Sequence, residues 1–135
     1  MAPSGKLKTV RLTAPVSDED LAKLEIGQVV YLDGLIYTGR EGVYSRVLAE
    51  GREPPVDLKT LTNVNFHCSP AAAQDPSGEF RVGAVTATAS FRFSKWLPDW
   101  FAKTGCKVIV GKGGMSPEDY RETFVPAGAV YLTTV

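Results

Sequence analysis

The chain has 135 residues, and its 15 Lys and Arg balance its 15 Asp and Glu, so the formal net charge is zero at pH 7. A neutral chain argues against an extended nucleic-acid surface, which needs clustered basic residues to displace counterions. With 44% hydrophobic and 22% charged residues the composition is that of a globular protein, and the length predicts a single domain over residues 1–135.

A short capped helix and two strands are predicted first along the chain. Ser17 stands before a run of acidic residues and is a good helix cap, while Val16 and Leu21 are spaced to pack as a hydrophobic staple. Residues 28–32 and 35–37 are rich in Val, Leu, Ile and Tyr, and an Asp-Gly pair separates them. This pattern predicts a β-hairpin.

The middle of the chain alternates between helix, strand and loop. Residues 41–50 are predicted to form a helix that ends at Gly51. Residues 61–67 and 80–87 have the composition of strands, and residues 69–78, with two Pro and one Gly, are predicted to form a surface loop between them.

The last third of the chain is predicted to contain two helices and two strands. Aromatic and aliphatic residues in 94–103 recur at the spacing of one helical face, and Gly105 is the expected end of this helix. Ser116 and Pro117 are suited to the cap and first position of a second helix, and residues 107–110 and 129–133 are predicted strands. The element order predicts an α/β sandwich with partly parallel strands.

Three polar residues lie just beyond the ends of predicted strands. Arg40 comes after the strand that contains Tyr37, Thr88 after the strand 80–87, and Lys112 after the strand 107–110. In open α/β sheets ligands gather at the carboxyl ends of strands, so these ends are the expected position of a binding site.

The single histidine and the two cysteines do not predict a metal site. His67 and Cys68 are neighbours, but adjacent residues of a strand point to opposite faces. Two thiols, Cys68 and Cys106, are also too few for an iron–sulfur cluster, which takes about four ligands. We expect a half-buried histidine beside a small apolar thiol, with metal binding as the alternative.

The sequence predicts a protein without membrane spans or an export signal. No apolar run approaches the roughly 20 residues of a membrane helix, and residues 1–9 contain no apolar stretch behind their basic residues. Two free thiols fit a reducing cytoplasm, although a disulfide bridge remains an alternative.

Two further segments have the composition of ligand-binding loops. Residues 111–114, Gly-Lys-Gly-Gly, resemble a phosphate loop, but the spacing fails because Cys106 stands where the first glycine belongs and Gly113 follows Lys112. Residues 86–92 alternate hydroxyls with small side chains and end in Arg92, which suits carboxylate binding or equally an ordinary half-exposed strand. No plausible Ser-His-Asp set is present.

Four segments occur in one order and together resemble a known family. They are residues 12–17, 32–40, 88–92 and 110–115, with the sequences LTAPVS, LDGLIYTGR, TASFR and VGKGGM. The chain resembles the β subunit of class I, iron–sulfur fumarase and L-tartrate dehydratase along nearly its whole length. The resemblance implies a swivelling β/β/α three-layer domain that is shortened at its C-terminus.

The resemblance also implies an activity. Members are hydro-lyases that reversibly remove water from a 2-hydroxy dicarboxylate, malate to fumarate or tartrate to oxaloacetate. It implies a hetero-oligomer in which an α subunit carries the 4Fe–4S cluster as a Lewis acid, so no cofactor is expected on this chain.

Four site residues follow from the resemblance. Arg40, Arg92 and Lys112 match the family's carboxylate-binding cations, and Thr88 matches its proton-transfer residue. The chain departs from the family at Tyr44, where a histidine is common, and in the segment before Ser90, which usually reads Gly-Pro-Thr-Thr. Two other functions remain open: a stand-alone dicarboxylate-binding module, and a partner-binding protein without a ligand.

Overall fold

The computed structural model describes residues 7–134 as eight strands, six α-helices and three other helical turns. The strands are β1 (Thr9–Ala14), β2 (Val29–Gly34), β3 (Tyr37–Thr38), β4 (Val64–Phe66), β5 (Ala72–Gln74), β6 (Phe80–Val82), β7 (Val108–Gly111) and β8 (Val130–Thr133). The α-helices are α1 (Asp18–Ala22), α2 (Glu41–Tyr44), α3 (Leu58–Leu61), α4 (Leu97–Thr104), α5 (Pro117–Asp119) and α6 (Val125–Ala127). π-Helical turns at Ser45–Ala49 and Tyr120–Phe124 continue α2 and α5, and a 3-10 helix at Phe91–Trp96 precedes α4.

The central sheet has four parallel strands in the order β3-β4-β7-β8. Thr38 pairs with Phe66, Phe66 with Val110, and Val110 with Leu132. Two smaller sheets are separate from it: β1 and β2 pair in parallel, and β5 and β6 form an antiparallel hairpin. The carboxyl ends of β3, β4, β7 and β8 therefore lie along one edge.

Side chains alternate across the central sheet between two apolar cores. Val64 and Val108 pack with Leu12 and Ala14 of β1 on one face. Ile109 packs on the other face with a cluster that includes residues of α2, α4 and the segment around Phe124. The layers are thus a two-stranded sheet, a four-stranded sheet and helices, a mixed α/β architecture that agrees with the predicted fold class.

The hairpin predicted over residues 28–37 is wrong. β2 pairs in parallel with β1, and β3 belongs to the central sheet. Gly34 has a φ of +101°, and a Cβ there would collide with the backbone of Ala14, its partner in β1. The Asp-Gly signal thus marks a glycine needed for close strand approach and not a turn between paired neighbours.

The predicted strands 61–67 and 80–87 are shorter than expected. Asp57 caps α3 with its side chain, so the chain at Leu61 is helical and β4 begins only at Val64. The predicted loop 69–78 contains β5, which pairs with β6. An exposed hairpin thus connects β4 to the segment that carries Thr88.

Three predicted helix boundaries agree with the structure, whereas α1 ends at Ala22 although the sequence predicts its end at Gly27, and the helix in 94–103 begins later than predicted. Ser17 and Ser116 accept hydrogen bonds at the beginnings of α1 and α5, and Gly105 ends α4 in the left-handed conformation. Residues before Leu97 form a 3-10 helix because Pro98 has no N–H to donate to the Ser94 carbonyl, which accepts from Leu97 instead.

Within residues 7–134, no helix is long and apolar enough to cross a membrane.

Candidate functional site

The carboxyl edge of the central sheet collects three of the four residues singled out in the sequence. Arg40 lies two positions after the end of β3, and Lys112 directly follows β7. Backbone hydrogen bonds to His67, after β4, and to Lys112, after β7, hold Thr88 at the ends of these two strands. The strand-end pattern predicted that these residues would lie at this edge, which is where ligands bind in open α/β sheets.

Backbone hydrogen bonds fix the position of Thr88. Its N–H donates to the carbonyl of His67 at 2.7 Å, and its own carbonyl accepts from the N–H of Lys112 at 3.3 Å. Ser90 N–H donates in turn to the carbonyl of Lys112 at 3.3 Å, in a parallel bridge centred on Ala89. The segment is therefore inserted like a further short strand, with Thr88 next to the lysine that follows β7.

Arg40 and Thr88 contact each other through their side chains. Arg40 Nη1 donates to Thr88 Oγ1 across 3.4 Å, although 48 positions separate the two residues. Arg40 is also the cap residue of α2, which begins at the end of β3. Burial raises the pKa of the Cys68 thiol and the positive charge of Arg40 opposes that rise, so the guanidinium is also close to Cys68.

Arg92 joins this site indirectly. Its guanidinium lies 5.7 Å from the ring centroid of Phe93, within the range of a cation–π contact. The Phe93 ring is buried and lies 4.9 Å from the imidazole of His67. The structure therefore brings Arg40 and Thr88 into contact and Lys112 beside Thr88, while Arg92 is linked to them through Phe93.

The three cations lack neutralising carboxylates. Over residues 7–134, six ion pairs involve other basic residues, and none involves Arg40, Arg92 or Lys112. Glu41, which follows Arg40, accepts a hydrogen bond from the indole of Trp96 at 2.9 Å. Although the chain is neutral overall, this edge concentrates exposed positive charge suited to an anion.

A buried chain of polar side chains runs beneath the site. Asn65 Nδ2 donates to the Tyr44 hydroxyl at 2.8 Å, which contacts His67 Nε2 at 2.6 Å. His67 Nδ1 contacts Ser90 Oγ at 2.7 Å, and the Tyr131 hydroxyl donates to the same oxygen at 2.9 Å. The imidazole is completely buried and not half-buried as predicted.

Burial determines the ionisation of these polar side chains. It lowers the pKa of His67 from 6.5 to about 4, so the imidazole is neutral near pH 7. Burial likewise raises the pKa of Tyr44 well above 10, and that of Tyr131 above its ordinary value. A neutral imidazole donates from one nitrogen and accepts at the other, so His67 can link Tyr44 to Ser90 without carrying charge.

The glycine-rich segment after β7 is a turn packed against the site. A Cβ on Gly111 would collide with Ser90 Oγ and would lie 2.8 Å from the Tyr131 hydroxyl. Gly113 and Gly114 have φ values of +81° and +68°. The glycines thus allow close approach and a left-handed backbone, and they leave Lys112 exposed at the edge.

The two thiols lie at opposite ends of the sheet. Cys68 follows the carboxyl end of β4, whereas Cys106 precedes the amino end of the parallel strand β7. Both are buried, and burial raises the pKa of Cys106 to about 11. In the part of the chain that the structure describes, no three His, Cys, Asp or Glu side chains converge to hold a metal ion. The donor set does not fit an iron–sulfur cluster.

The site faces the surface, because Arg40, Arg92 and Lys112 are exposed and Thr88 is half-buried. Two surface grooves lie elsewhere, one between residues 53–59 and 102–104 and the other between α4 and α6. Neither is lined by Arg40, Thr88, Arg92 or Lys112. Another molecule would be needed to enclose a ligand held at the cationic edge.

The polar layer beneath the site is not among the features predicted from the sequence. One signal was available: Asn65 and His67 alternate with Val64 and Phe66, so two polar side chains face the helical side of an otherwise apolar strand. Tyr44 had been noted only as a departure from the histidine common at that position. Its hydroxyl contacts the only imidazole of the chain.

A family model described as Fumarase C-terminus matches residues 2–135. Several curated proteins are similar to the chain, including the following three. A putative fumarate hydratase class I of Geobacillus stearothermophilus is 31% identical over 128 residues, which are 95% of this chain and 24% of that protein. The L(+)-tartrate dehydratase subunit beta of Escherichia coli K12 is 33% identical over 106 residues, which are 78% of this chain and 51% of the relative. A putative L(+)-tartrate dehydratase subunit beta of Methanocaldococcus jannaschii is 31% identical over 120 residues, covering 87% of this chain and 60% of that subunit.

The chain matches only part of the length of each of these relatives. It spans about half to three-fifths of the two subunits named beta, and about a quarter of the fumarate hydratase.

Proposed function

Because the chain belongs to the Fumarase C-terminus family, as its motifs indicated, we propose that it is the substrate-orienting β component of a hydro-lyase. The reaction is the reversible removal of water from a 2-hydroxy dicarboxylate, either malate to fumarate or tartrate to oxaloacetate. The observation that carries this proposal is the contact of Arg40 with Thr88 at an edge that also presents Lys112. Three cations that form no ion pair among residues 7–134 suit two carboxylate groups.

The arginines and the lysine have different tasks in this proposal. A guanidinium binds a carboxylate through two parallel N–H groups, so Arg40 and Arg92 fix the orientation of the dicarboxylate. Lys112 adds a point charge from the turn after β7. Their combined charge offsets the two negative charges of the substrate.

Thr88 handles the proton at carbon. In the dehydration direction the deprotonated oxygen of Thr88 takes a proton from the carbon next to a carboxylate, the electron pair of that C–H bond forms the double bond, and the carbon–oxygen bond breaks with release of hydroxide. A threonine hydroxyl is a weak base, but Arg40 Nη1 donates to Thr88 Oγ1 and so stabilises that oxygen when it carries negative charge. In the hydration direction Thr88 Oγ1 returns a proton to carbon.

The proposal assigns the remaining chemistry to a partner. When bound to an α partner, a 4Fe–4S cluster would supply Lewis-acid chemistry for the substrate hydroxyl. The open surface around Arg40 and Thr88, together with the subunit names of two relatives, supports a hetero-oligomer in which the partner closes the site. The motif resemblance supports a domain that swivels against that partner.

The experiment is co-expression with a candidate α subunit of about twice this length that has three well-spaced cysteines, encoded beside the gene for this chain. After anaerobic purification, dehydration of L-malate and of L-tartrate is measured side by side. Turnover of either acid by the pair, and by neither chain alone, is the expected result. Its absence with every neighbouring candidate would instead favour a stand-alone dicarboxylate-binding module, which calorimetry with the same two acids on the isolated chain detects.

A further inference from the structure

The buried imidazole of His67 connects the two chain segments that carry Arg40 and Thr88. One segment is α2, where the N–H of Tyr44 donates to the carbonyl of Arg40 at 3.0 Å and the Tyr44 hydroxyl contacts His67 Nε2. The other is the inserted segment, where Thr88 donates to the carbonyl of His67 and Ser90 Oγ contacts Nδ1. Three hydrogen bonds of one residue thus reach both sides of the Arg40–Thr88 contact.

Packing leaves this imidazole little freedom. The His67 ring meets the Tyr44 ring at 5.7 Å and the Phe93 ring at 4.9 Å, both nearly edge-to-face. It is completely buried, as is Tyr44. A buried polar group costs free energy when it loses a partner, so both hydrogen bonds of the ring hold its neighbours in one arrangement.

The short contacts of the ring contrast with the long contact that they surround. The imidazole nitrogens lie 2.6 Å and 2.7 Å from their partners, whereas Arg40 Nη1 lies 3.4 Å from Thr88 Oγ1 at the surface. A long hydrogen bond between an exposed arginine and a half-buried hydroxyl does little to fix its own geometry. The geometry is instead held from below, through Tyr44 on one side and Ser90 on the other.

We propose that His67 is a positioning residue that sets the separation of Arg40 from Thr88, with its Nδ1 bond to Ser90 holding Thr88 and its Nε2 bond to Tyr44 holding α2. The assignment rests on the proposed function in so far as Thr88 transfers the proton. His67 itself touches no substrate in this proposal. A displacement of a reacting group by about 1 Å can lower turnover about a hundredfold, so its loss acts mainly on kcat.

Two substitutions of His67 each keep one hydrogen bond of the imidazole and remove the other. The amide of an asparagine side chain overlaps the Nδ1 side of a histidine ring, and that of a glutamine reaches the Nε2 side. His67→Asn therefore retains a partner for Ser90, and His67→Gln retains one for Tyr44. Thr104→Val is the matched control, because it removes a buried hydroxyl that bonds Trp100 O at 2.7 Å at the opposite end of the sheet.

The first readout needs no activity. His67 is the only histidine, so its ring ¹⁵N signals in NMR spectra of the isolated chain are unambiguous, and the Thr88 methyl signal is assigned as the one that disappears in Thr88→Ala. We expect one protonated and one unprotonated ring nitrogen in the wild type. The Thr88 methyl signal should shift in His67→Gln and in Ser90→Ala, and stay in place in Thr104→Val. An unmoved Thr88 signal in Ser90→Ala overturns the proposal even where a His67 variant fails to fold.

The second readout uses the chain assembled with its partner. We expect kcat to fall about tenfold or more in His67→Gln with KM changed less than about threefold, and to be recovered only in part in His67→Asn, which keeps the bond to Ser90 but loses that to Tyr44. Equal kcat and KM in His67→Gln and wild type would refute the positioning role and leave the hydro-lyase assignment intact. If no partner gives turnover, the proposed function fails while the NMR comparison still decides whether His67 fixes Thr88.

Discussion

The guanidinium of Arg40 donates a hydrogen bond to the hydroxyl of Thr88 across 3.4 Å at the carboxyl edge of the central sheet. The two residues come from different elements, one at the end of β3 and one in the inserted segment between β4 and β7. A cation beside a hydroxyl stabilises the deprotonated oxygen, so Thr88 can exchange a proton more readily than an isolated threonine.

Replacing Thr88 with Ala in the assembled enzyme should lower kcat about a hundredfold or more, with a much smaller change in KM. The substitution removes the proton-transfer group and leaves the three cations in place. Steady-state kinetics of malate or tartrate dehydration measure the effect. Thr86→Ala, an exposed threonine two positions earlier, is the control and should keep wild-type turnover. Unchanged kcat in Thr88→Ala would remove this residue from catalysis.

Arg40→Lys and Arg92→Lys should each weaken binding of the dicarboxylate although both keep the charge. An ammonium is a point charge and cannot reproduce the paired N–H groups of a guanidinium. The measurement is KM in the assembled enzyme, or calorimetry with the isolated chain. Arg121→Lys, whose arginine pairs with Glu118 on α5, is the control. Wild-type constants in both site variants are incompatible with carboxylate binding by these arginines.

Gly111→Ala should destabilise the protein by about 1–3 kcal/mol, because an added methyl group has to displace Ser90 Oγ or the Tyr131 hydroxyl. Unfolding in denaturant measures the free energy. Gly42→Ala is the matched control: the added methyl meets no atom within 4 Å, and the residue lies in α2, so stability should stay equal or rise slightly. Equal stability of the two variants would mean that Gly111 does not pack tightly against the site.

Folding stability should fall as the pH drops from about 6.5 to about 4. Burial lowers the pKa of His67 to about 4, whereas the unfolded chain binds this proton near pH 6.5. Within that window the unfolded state holds more protons, so stability is complete above pH 6.5 and decreases by about 3 kcal/mol towards pH 4. The ring contacts Tyr44, Ser90 and Phe93, none of which carries charge in this range.

Denaturant unfolding at a series of pH values from 7 to 4.5 tests this loss. The His67→Asn variant has no group that titrates at this position, so its stability should vary much less over the same range. A wild-type protein as stable at pH 4.5 as at pH 7 would contradict a buried, neutral imidazole.

The isolated chain should be colourless, iron-free and inactive, yet should bind a dicarboxylate weakly. Cys68 and Cys106 lie at opposite ends of the sheet and cannot converge on one cluster, while Arg40, Arg92 and Lys112 still attract the anion. Iron content, visible absorbance and dehydration of malate and tartrate are measured on the chain alone and then with a reconstituted partner. Dehydration by the iron-free chain would replace the two-component mechanism with a metal-free one.

The sequence was sufficient to predict what depends on local order. Arg40 and Lys112 each follow a short apolar strand, and parallel strands bring such positions to one edge without knowledge of the packing. Ser17, Ser116 and Gly105 bound their helices through contacts within a few residues, and these ends were also predicted.

What the sequence could not predict depends on long-range partners. β2 has strong strand composition whichever neighbour it takes, and its pairing with β1 becomes clear only when Gly34 meets Ala14. The contact of Tyr44 with His67 joins residues 23 positions apart on a helix and a strand. The local sequence around each of the two residues does not predict its contact with the other.

The backbone bridge between Cys68 and Ala87 separates the exposed hairpin from the segment that positions Thr88. It closes the intervening residues 69–86 into an appendage whose two ends meet at a fixed base. Thr88 takes its position from His67 and Lys112, beyond that base, and not from the span of the appendage. Insertions, deletions and substitutions in this appendage can therefore accumulate during evolution without moving Thr88.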